Sequence, residues 1–412
     1  MSVLSHEQAV RFADGRTDIR ADFPVLARTV DGTPLNYLDS AATSLKPQAV
    51  IDAIVRYYSE VGGNIHRGKH MLSEEASTAF ETARVRVAQL LRVPGGEVVF
   101  TAGTTHGINI VALGLGLTDR DLVLIGADSH HSNQLPWRHL ARTEWIRSRP
   151  DGTVDLDHYA ELLQLRPAVV ALTQCSNVTG RHAPIADMTA MAHDVGAITV
   201  VDAAQSMPHQ DIDVPALGAD ALAFSAHKML GPTGIGVLVL RPALQERLDP
   251  AILGGGTVDW VDVDEMRLRR APHRFEAGTP HIAGAYGLHA AIDYLDRIGR
   301  SEVAAHDLRM GWLLAEEAAR RDYISVLGPG DGERSGLISF AVRGLPDLTD
   351  LARVMSDSYG VMCRSGKHCA QPYVDAFDQG QVMRLSAYVY TTDLDVRDAF
   401  AAIDEAVPLL RG

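Results

Sequence analysis

Short apolar stretches recur along the middle of the chain, each closing on a polar cluster and then giving way to helical sequence. That rhythm constrains the fold more than any other feature. Glu97-Val98-Val99-Phe100 ends at Thr101-Ala102-Gly103-Thr104-Thr105, and Leu122-Val123-Leu124-Ile125 ends at Asp128-Ser129-His130-His131. Residues 168–172 end at Ser176-Asn177-Val178-Thr179-Gly180, and residues 198–201 end at Asp202-Ala203-Ala204-Gln205-Ser206. Strands alternating with helices imply an α/β fold with a mainly parallel sheet covered by helices. In such sheets ligands bind at the carboxyl ends of the strands, where every one of these polar clusters falls.

Two further apolar runs, residues 219–224 and 235–240, flank Ser225-Ala226-His227-Lys228-Met229-Leu230-Gly231-Pro232-Thr233-Gly234. Lys228 is thus expected on a turn between buried strands. Burying an unpaired ammonium is costly, so a lysine held there is either solvated at the strand ends or chemically employed. A desolvated lysine can lose its proton and attack a carbonyl to form a Schiff base. Ser225 and His227 beside it offer hydrogen bonds to a phosphate. Together these suit pyridoxal 5'-phosphate (PLP), whose aldehyde needs the lysine and whose phosphate needs donors.

The other strand ends extend that reading. A carboxylate at Asp202 would keep a pyridine nitrogen protonated, although helix N-capping is an equally ordinary use for it. Gln205 is near enough in sequence to bond the cofactor's ring oxygen. His130 would either stack on the ring or be a partly exposed loop histidine. Thr105, at a helix start, offers a hydroxyl and backbone N–H groups to a phosphate. Far downstream, Arg364-Ser365-Gly366-Lys367-His368-Cys369-Ala370-Gln371-Pro372 reads as a polar loop. Positive charge from Lys367 and His368 would favour the Cys369 thiolate. Cys175 and Cys363 lie in or beside apolar strands and are assigned no chemistry. Arg384, on a strand, could grip a substrate carboxylate bidentately or form a surface ion pair.

Composition removes several function classes. The formal net charge of −14 argues against nucleic-acid binding, which needs a basic footprint. No apolar run approaches the roughly 18 residues of a membrane span. The N-terminus carries no basic start followed by an apolar block, so no signal peptide is expected, and three cysteines are too few for a disulfide framework. Free thiols in the cytoplasm follow. No metal ligands are suggested.

Residues 1–35 mix short helical pieces with a loop, and residues 36–300 form the large unit. A long helix is expected from about 282 to 298 and another over 303–322. Residues 301–412 then change character: strands at 337–342, 361–363 and 383–388 with helices at 348–359 and 395–410 make a smaller α+β domain, which the N-terminal segment joins.

Taken together, these residues resemble the class V aminotransferase group of fold-type I PLP enzymes. Within it, the chain is similar to the group II, Suf-type cysteine desulfurases. The resemblance runs from Leu38-Asp39-Ser40-Ala41-Ala42 to Arg384; the lysine motif and Arg274-Phe275-Glu276-Ala277-Gly278-Thr279-Pro280 are specific to the group, and the Cys369 loop carries the implication of desulfuration. It implies Lys228 as the Schiff-base lysine, Asp202 against the pyridine nitrogen, Gln205 at the ring oxygen and His130 stacked. Thr105, Ser225 and His227 would hold the phosphate, with Thr279 reaching across from a second subunit of a homodimer. Asn177 and Arg384 would bind the substrate carboxylate, with Arg364 counted among the substrate-binding residues. His66 and Arg67 match a loop that approaches the partner's site. Cys369 would take sulfur from L-cysteine as a persulfide and pass it to an acceptor protein.

The chain departs from that pattern at Ser129, His106, Lys367 and Thr391. The departures leave open a specialised biosynthetic role. The rival activities are selenocysteine lyase, or a relative performing C–S elimination, epimerisation or transamination with Cys369 idle. A PLP-bound structural partner is a rival of another class, opposed by the presence of Lys228, Asp202 and Cys369 together.

Overall fold

The computed structural model describes residues 19–328, 334–377 and 380–411. The first eighteen positions of the N-terminal segment lie outside them. Seven strands form the central sheet: β1 (Val98–Thr101), β2 (Leu122–Gly126), β3 (Arg142–Ile146), β4 (Val169–Thr173), β5 (Ile198–Asp202), β6 (Ala221–Ser225) and β7 (Gly236–Leu240). Their order is β1-β7-β6-β5-β4-β2-β3. Neighbours from β6 to β3 are parallel, and β7 runs against both β1 and β6. The expected mainly parallel sheet is therefore present.

The strands read as continuous apolar runs because both sheet faces are covered. Val98, Phe100, Leu222, Phe224, Val237 and Val239 face one core, packed by α1 (Gln48–Arg56), α2 (Met71–Leu91) and α4 (Ile282–Ile298). Val99, Ala221, Ala223, Leu238 and Leu240 face the other, with α3 (Thr104–Gly114) and Trp137. Period-two alternation thus serves two apolar layers at once. At the start of β7 a side chain is excluded: a Cβ on Gly236 would lie 2.5 Å from the Phe224 carbonyl oxygen and 2.6 Å from the Gly103 Cα. That close approach brings the loop before α3 against the loop that carries Lys228.

The C-terminal part has its own sheet, all antiparallel, of β8 (Ile324–Val326), β9 (Leu337–Val342), β10 (Arg364–Gly366) and β11 (Val382–Ser386), in the order β8-β9-β11-β10. It packs on α5 (Arg300–Ala319), α6 (Thr349–Tyr359) and α7 (Asp393–Arg411) through Ile338, Phe340, Leu351, Phe400 and Ile403. The described part of the N-terminal segment reaches both units. Arg20 pairs with Asp395 on α7 at 2.6 Å, while the Phe23 ring packs edge-on against Tyr294 of α4 and Tyr390. Asn36–Tyr37 and Val361–Met362 pair as short parallel strands.

Two elements escape a reading by apolar runs. β3 is an edge strand in which exposed and half-buried residues alternate up to buried Ile146, so Arg-Thr-Glu-Trp-Ile lacks a buried run. Val258–Val261 and Met266–Leu268 form an exposed hairpin that likewise lacks a buried apolar run. Helix α1 closes at Arg56 and is followed by a wider turn over Tyr57–Val61 that ends on left-handed Gly62.

Candidate active site

A cavity of about 240 Å³ opens at the carboxyl ends of β4, β5 and β6. It brings together Thr105, His130, Asn177, Asp202, Gln205, Ser225, His227, Lys228, Arg364, Cys369 and Arg384. These come from positions 105 to 384, so the fold assembles what the sequence scatters.

Lys228 ends a short 3-10 turn, Ala226–Lys228, that follows β6 directly. Desolvation lowers its ammonium to about 8, with Asp202 pulling the other way and Arg384 adding to the depression. The lysine is thus far easier to deprotonate than one in water. Asp202 is the last residue of β5; burial raises its carboxyl while the Ala204 N–H, donating to Oδ1 at 2.9 Å, and Lys228 oppose that rise. Gln205 donates Nε2 to the Ala41 carbonyl at 2.8 Å, which fixes its amide at the wall.

His130 caps the turn His131–Asn133, its Nδ1 accepting from the Ser132 N–H at 3.1 Å. Burial, then the charge of Lys228, pushes it down to about 4, so the ring is neutral near neutral pH. Burial does the same to His227, also to about 4. The His227 carbonyl accepts from Lys46 Nζ at 2.9 Å and from the Ser44 N–H at 3.0 Å, which pins the lysine turn.

The hydroxyl cluster differs in detail from the sequence reading. Thr104 is the residue tied to Ser225: its N–H donates to Ser225 Oγ at 2.8 Å and the two hydroxyls lie 2.7 Å apart. Thr105 lines the cavity and shares a hydrogen bond with Ser132 Oγ at 2.7 Å. Thr104 was passed over because Thr-Thr at a helix start does not say which hydroxyl turns inward.

The opposite wall comes from the C-terminal unit. Arg384 on β11 is buried; Nη2 pairs with Asp39 Oδ1 at 3.1 Å and Nη1 donates to the Asn177 carbonyl at 3.1 Å. Its Nε and Asn177 Oδ1 are buried with no hydrogen-bond partner. Two complementary orphans at one wall mark a place for a polar ligand. Asp39, the clamp on Arg384, was quoted in the sequence only as part of a motif; no local signal ties it to a residue 345 positions away.

Cys369 is exposed and free, and both it and His368 have left-handed backbone (φ +57° and +49°). Its carbonyl accepts from the His131 N–H at 2.9 Å, and the His368 carbonyl accepts from Asn177 Nδ2 at 2.8 Å. The expected source of positive charge at this thiol is corrected. Burial, with Arg384 and Arg364, drives His368 down to about 2, so it is neutral, and Lys367 is ion-paired to Asp375. Lys228 and Arg384 are two cations that interact electrostatically with Cys369. Cys175 also lines the cavity, its thiol pushed well up by burial; Cys363 is pushed up to about 12 for the same reason.

Thr279, His66 and Arg67 are not in this cavity. They line a second one of about 640 Å³, with Gly255, His273 and Glu276.

Fold and site define an α/β protein with its functional cavity at the carboxyl edge of a mainly parallel sheet. The chain belongs to the aminotransferase class-V family, whose model matches residues 36–398. It is 39% identical over 393 residues to a probable cysteine desulfurase of Halalkalibacterium halodurans, covering 93% of this chain and 96% of that one. It is 41% identical over 401 residues to a probable cysteine desulfurase of Pseudomonas aeruginosa, covering 95% and 98%. Among solved structures it resembles the apo cysteine desulfurase of Thermococcus onnurineus NA1 (TM-score 0.90, 35% identity, 97% and 98% covered). It also resembles the cysteine desulfurase CsdA, in an S-sulfonic acid form, of Escherichia coli (TM-score 0.86, 35% identity, 95% and 98% covered). No helix among the described residues is long and apolar enough to cross a membrane.

Proposed function

We propose that the protein is a cytoplasmic, homodimeric, PLP-dependent cysteine desulfurase that converts L-cysteine to L-alanine and leaves the sulfur on Cys369 for an acceptor protein. The single observation that carries this reading is the pairing of Lys228 and Cys369 on one cavity, with Arg384 and Asn177 on its wall. We keep the division into residues 1–35, 36–300 and 301–412 as the working domain boundaries.

The donor set fits PLP. An easily deprotonated lysine, a buried carboxylate and a hydroxyl pair at the start of α3 are the groups that an aldehyde, a pyridine nitrogen and a phosphate require. Lys228 would hold the cofactor, Asp202 its ring nitrogen and Gln205 its ring oxygen. His130 would lie on the ring face, and Thr105, Ser225 and His227 would take the phosphate. When bound, PLP supplies an electron sink for the pair left as the substrate's α-proton departs.

The chain's own residues do the rest. Arg384 Nε is placed to donate to the carboxylate of L-cysteine, the second N–H of Asn177 Nδ2 can join it, Asn177 Oδ1 is left to accept from the substrate's amino group, and Arg364 stands at the rim, which orients the substrate. Lys228 Nζ takes the α-proton and can return it. The Cys369 thiolate attacks the substrate sulfur; the S–S bond forms, the C–S bond breaks with its pair left on carbon, and a proton there completes alanine. Sulfur is oxidised and carbon reduced, so no outside oxidant is required. With His130, His227 and His368 neutral, Lys228 and Arg384 are charges placed to attract the thiolate.

Thr279, His66 and Arg67 lie apart from Lys228 in a single chain, which supports their service at a second subunit's site. The test is incubation with L-cysteine while alanine and sulfur are counted together. Equimolar alanine and sulfane sulfur is the expected result. Pyruvate and ammonia would indicate elimination, and reaction with selenocysteine alone would indicate the lyase.

A further inference from the structure

The second cavity brings His66 together with Glu81 and His273, two residues to which the proposed activity gives no role. His66 Nε2 lies 2.9 Å from Glu81 Oε1, and the His66 and His273 rings meet edge to face with centroids 5.2 Å apart. One ligand atom from each of His66, Glu81 and His273 lies within 4.8 Å of the other two. Nothing in the sequence suggests the grouping: one residue is on a glycine-rich loop, one on α2, and one beyond the exposed hairpin.

We propose that His66, Glu81 and His273 form a binding site for a first-row divalent cation of the zinc class, with its fourth position open to the cavity. Two imidazoles and one carboxylate suit zinc, and three protein ligands plus an exchangeable position is a stable arrangement for it. Tetrahedral bonds of about 2.0–2.1 Å put ligand atoms roughly 3.4 Å apart, so only a modest contraction of the cluster is required.

The surroundings supply what such a site needs. Glu276 Oε2 lies 3.8 Å from His273 Nδ1, so a carboxylate stands behind that imidazole and would fix its tautomer on closing to hydrogen-bond distance. The loop is already tethered: the His66 N–H donates to Ser77 Oγ at 2.8 Å, and Ser77 is one turn before Glu81 on the same helix. Arg84 is the obvious objection, since it donates to Glu81 Oε2 at 2.9 Å. It also forms a forked pair with Glu276 at 2.6 and 2.9 Å. At the cluster itself two carboxylates, Glu81 and Glu276, face one guanidinium, Arg84, so negative charge remains there for a dication. A bound cation would staple the His66-Arg67 loop to α2 and to the segment leading to Thr279.

Cobalt(II) is the spectroscopic probe, and the protein is the untagged holoenzyme carrying Cys369→Ser, which removes the exposed competing thiol. One cobalt per chain with the strong visible absorption of a tetrahedral site is expected. Adding His273→Ala or Glu81→Gln should abolish that absorption while the bound cofactor's spectrum persists. X-ray absorption of the zinc-loaded protein, which needs neither of those variants, should show two imidazoles among the ligands. Absence of cobalt binding, absorption that survives His273→Ala, or a zinc shell without two imidazoles would each overturn the proposal. None depends on desulfuration.

Discussion

The two walls of the Lys228 cavity are built on different principles. The lysine wall is the end of a buried sheet: Asp202 and Ser225 are the last residues of strands, and the turn that follows Ser225 is held by Lys46, Ser44 and Thr43 on the His227 carbonyl. The cysteine wall is a loop of the smaller unit, with left-handed backbone at His368 and Cys369 and φ +120° at Gly366. It leans on the large unit through two carbonyls, those of Cys369 and His368, which accept from the His131 N–H and from Asn177 Nδ2. In the proposed reaction the group that must keep its pKa and position sits on the rigid element, and the group that would reach a substrate sulfur and present it elsewhere sits on the loop.

Four changes sharpen that contrast, taken from the largest effect. Lys228→Ala should abolish the borohydride-reducible lysine–cofactor link and cut turnover by roughly 10³-fold or more, the scale of a lost proton-transfer group. A link formed instead at Lys46 would move the site. Next, in the cofactor-free protein, Lys228→Met should raise stability at pH 7. The lysine falls from 10.5 to about 8 on folding, which at 1.36 kcal/mol per unit is about 3 kcal/mol. The unfolded chain binds the extra proton between those values. Wild-type stability therefore rises with pH from 8 to 10.5, and the gain from methionine is largest below pH 8 and fades above it. Urea titrations across pH 6–10 would read it, and a pH-independent gain would contradict it.

Gly366→Ala acts on the other wall. Space is open around that glycine, but φ +120° is hostile to a side chain, at a cost of about 1–3 kcal/mol. Turnover of L-cysteine should fall while cofactor affinity holds, because the lysine wall is untouched. Equal losses in both would mean that the walls are one unit. Smallest is Lys367→Glu. Because Lys367 is paired with exposed Asp375, the change should slow desulfuration by less than about threefold, in keeping with surface ion pairs worth under 1 kcal/mol. A tenfold loss, recovered at higher pH, would restore Lys367 as the charge behind the thiol.

Much of the lysine wall was legible because its residues are close in sequence and follow apolar runs buried on both faces. Asp202 and Lys228 could be placed from the strand pattern alone. The cysteine wall was legible as a loop but not in its electrostatics, since the neutrality of His368 comes from burial against Arg384 and Arg364, which only the fold brings together. The Asp39–Arg384 clamp and the His66–Glu81–His273 cluster were hidden for the same reason. β3 was missed because an edge strand need not be apolar.

The account's central claim is that Cys369 receives the sulfur that Lys228 helps release. Mass spectrometry after brief exposure to L-cysteine tests it most directly, run beside Cys369→Ser. Wild type should carry one added sulfur on the peptide containing Cys369, with one alanine released. The serine variant should keep its cofactor, bind L-cysteine and release no alanine, because a hydroxyl is not ionised near neutral pH. Sulfur on Cys175 or Cys363, or alanine from the serine variant at the wild-type rate, would contradict it.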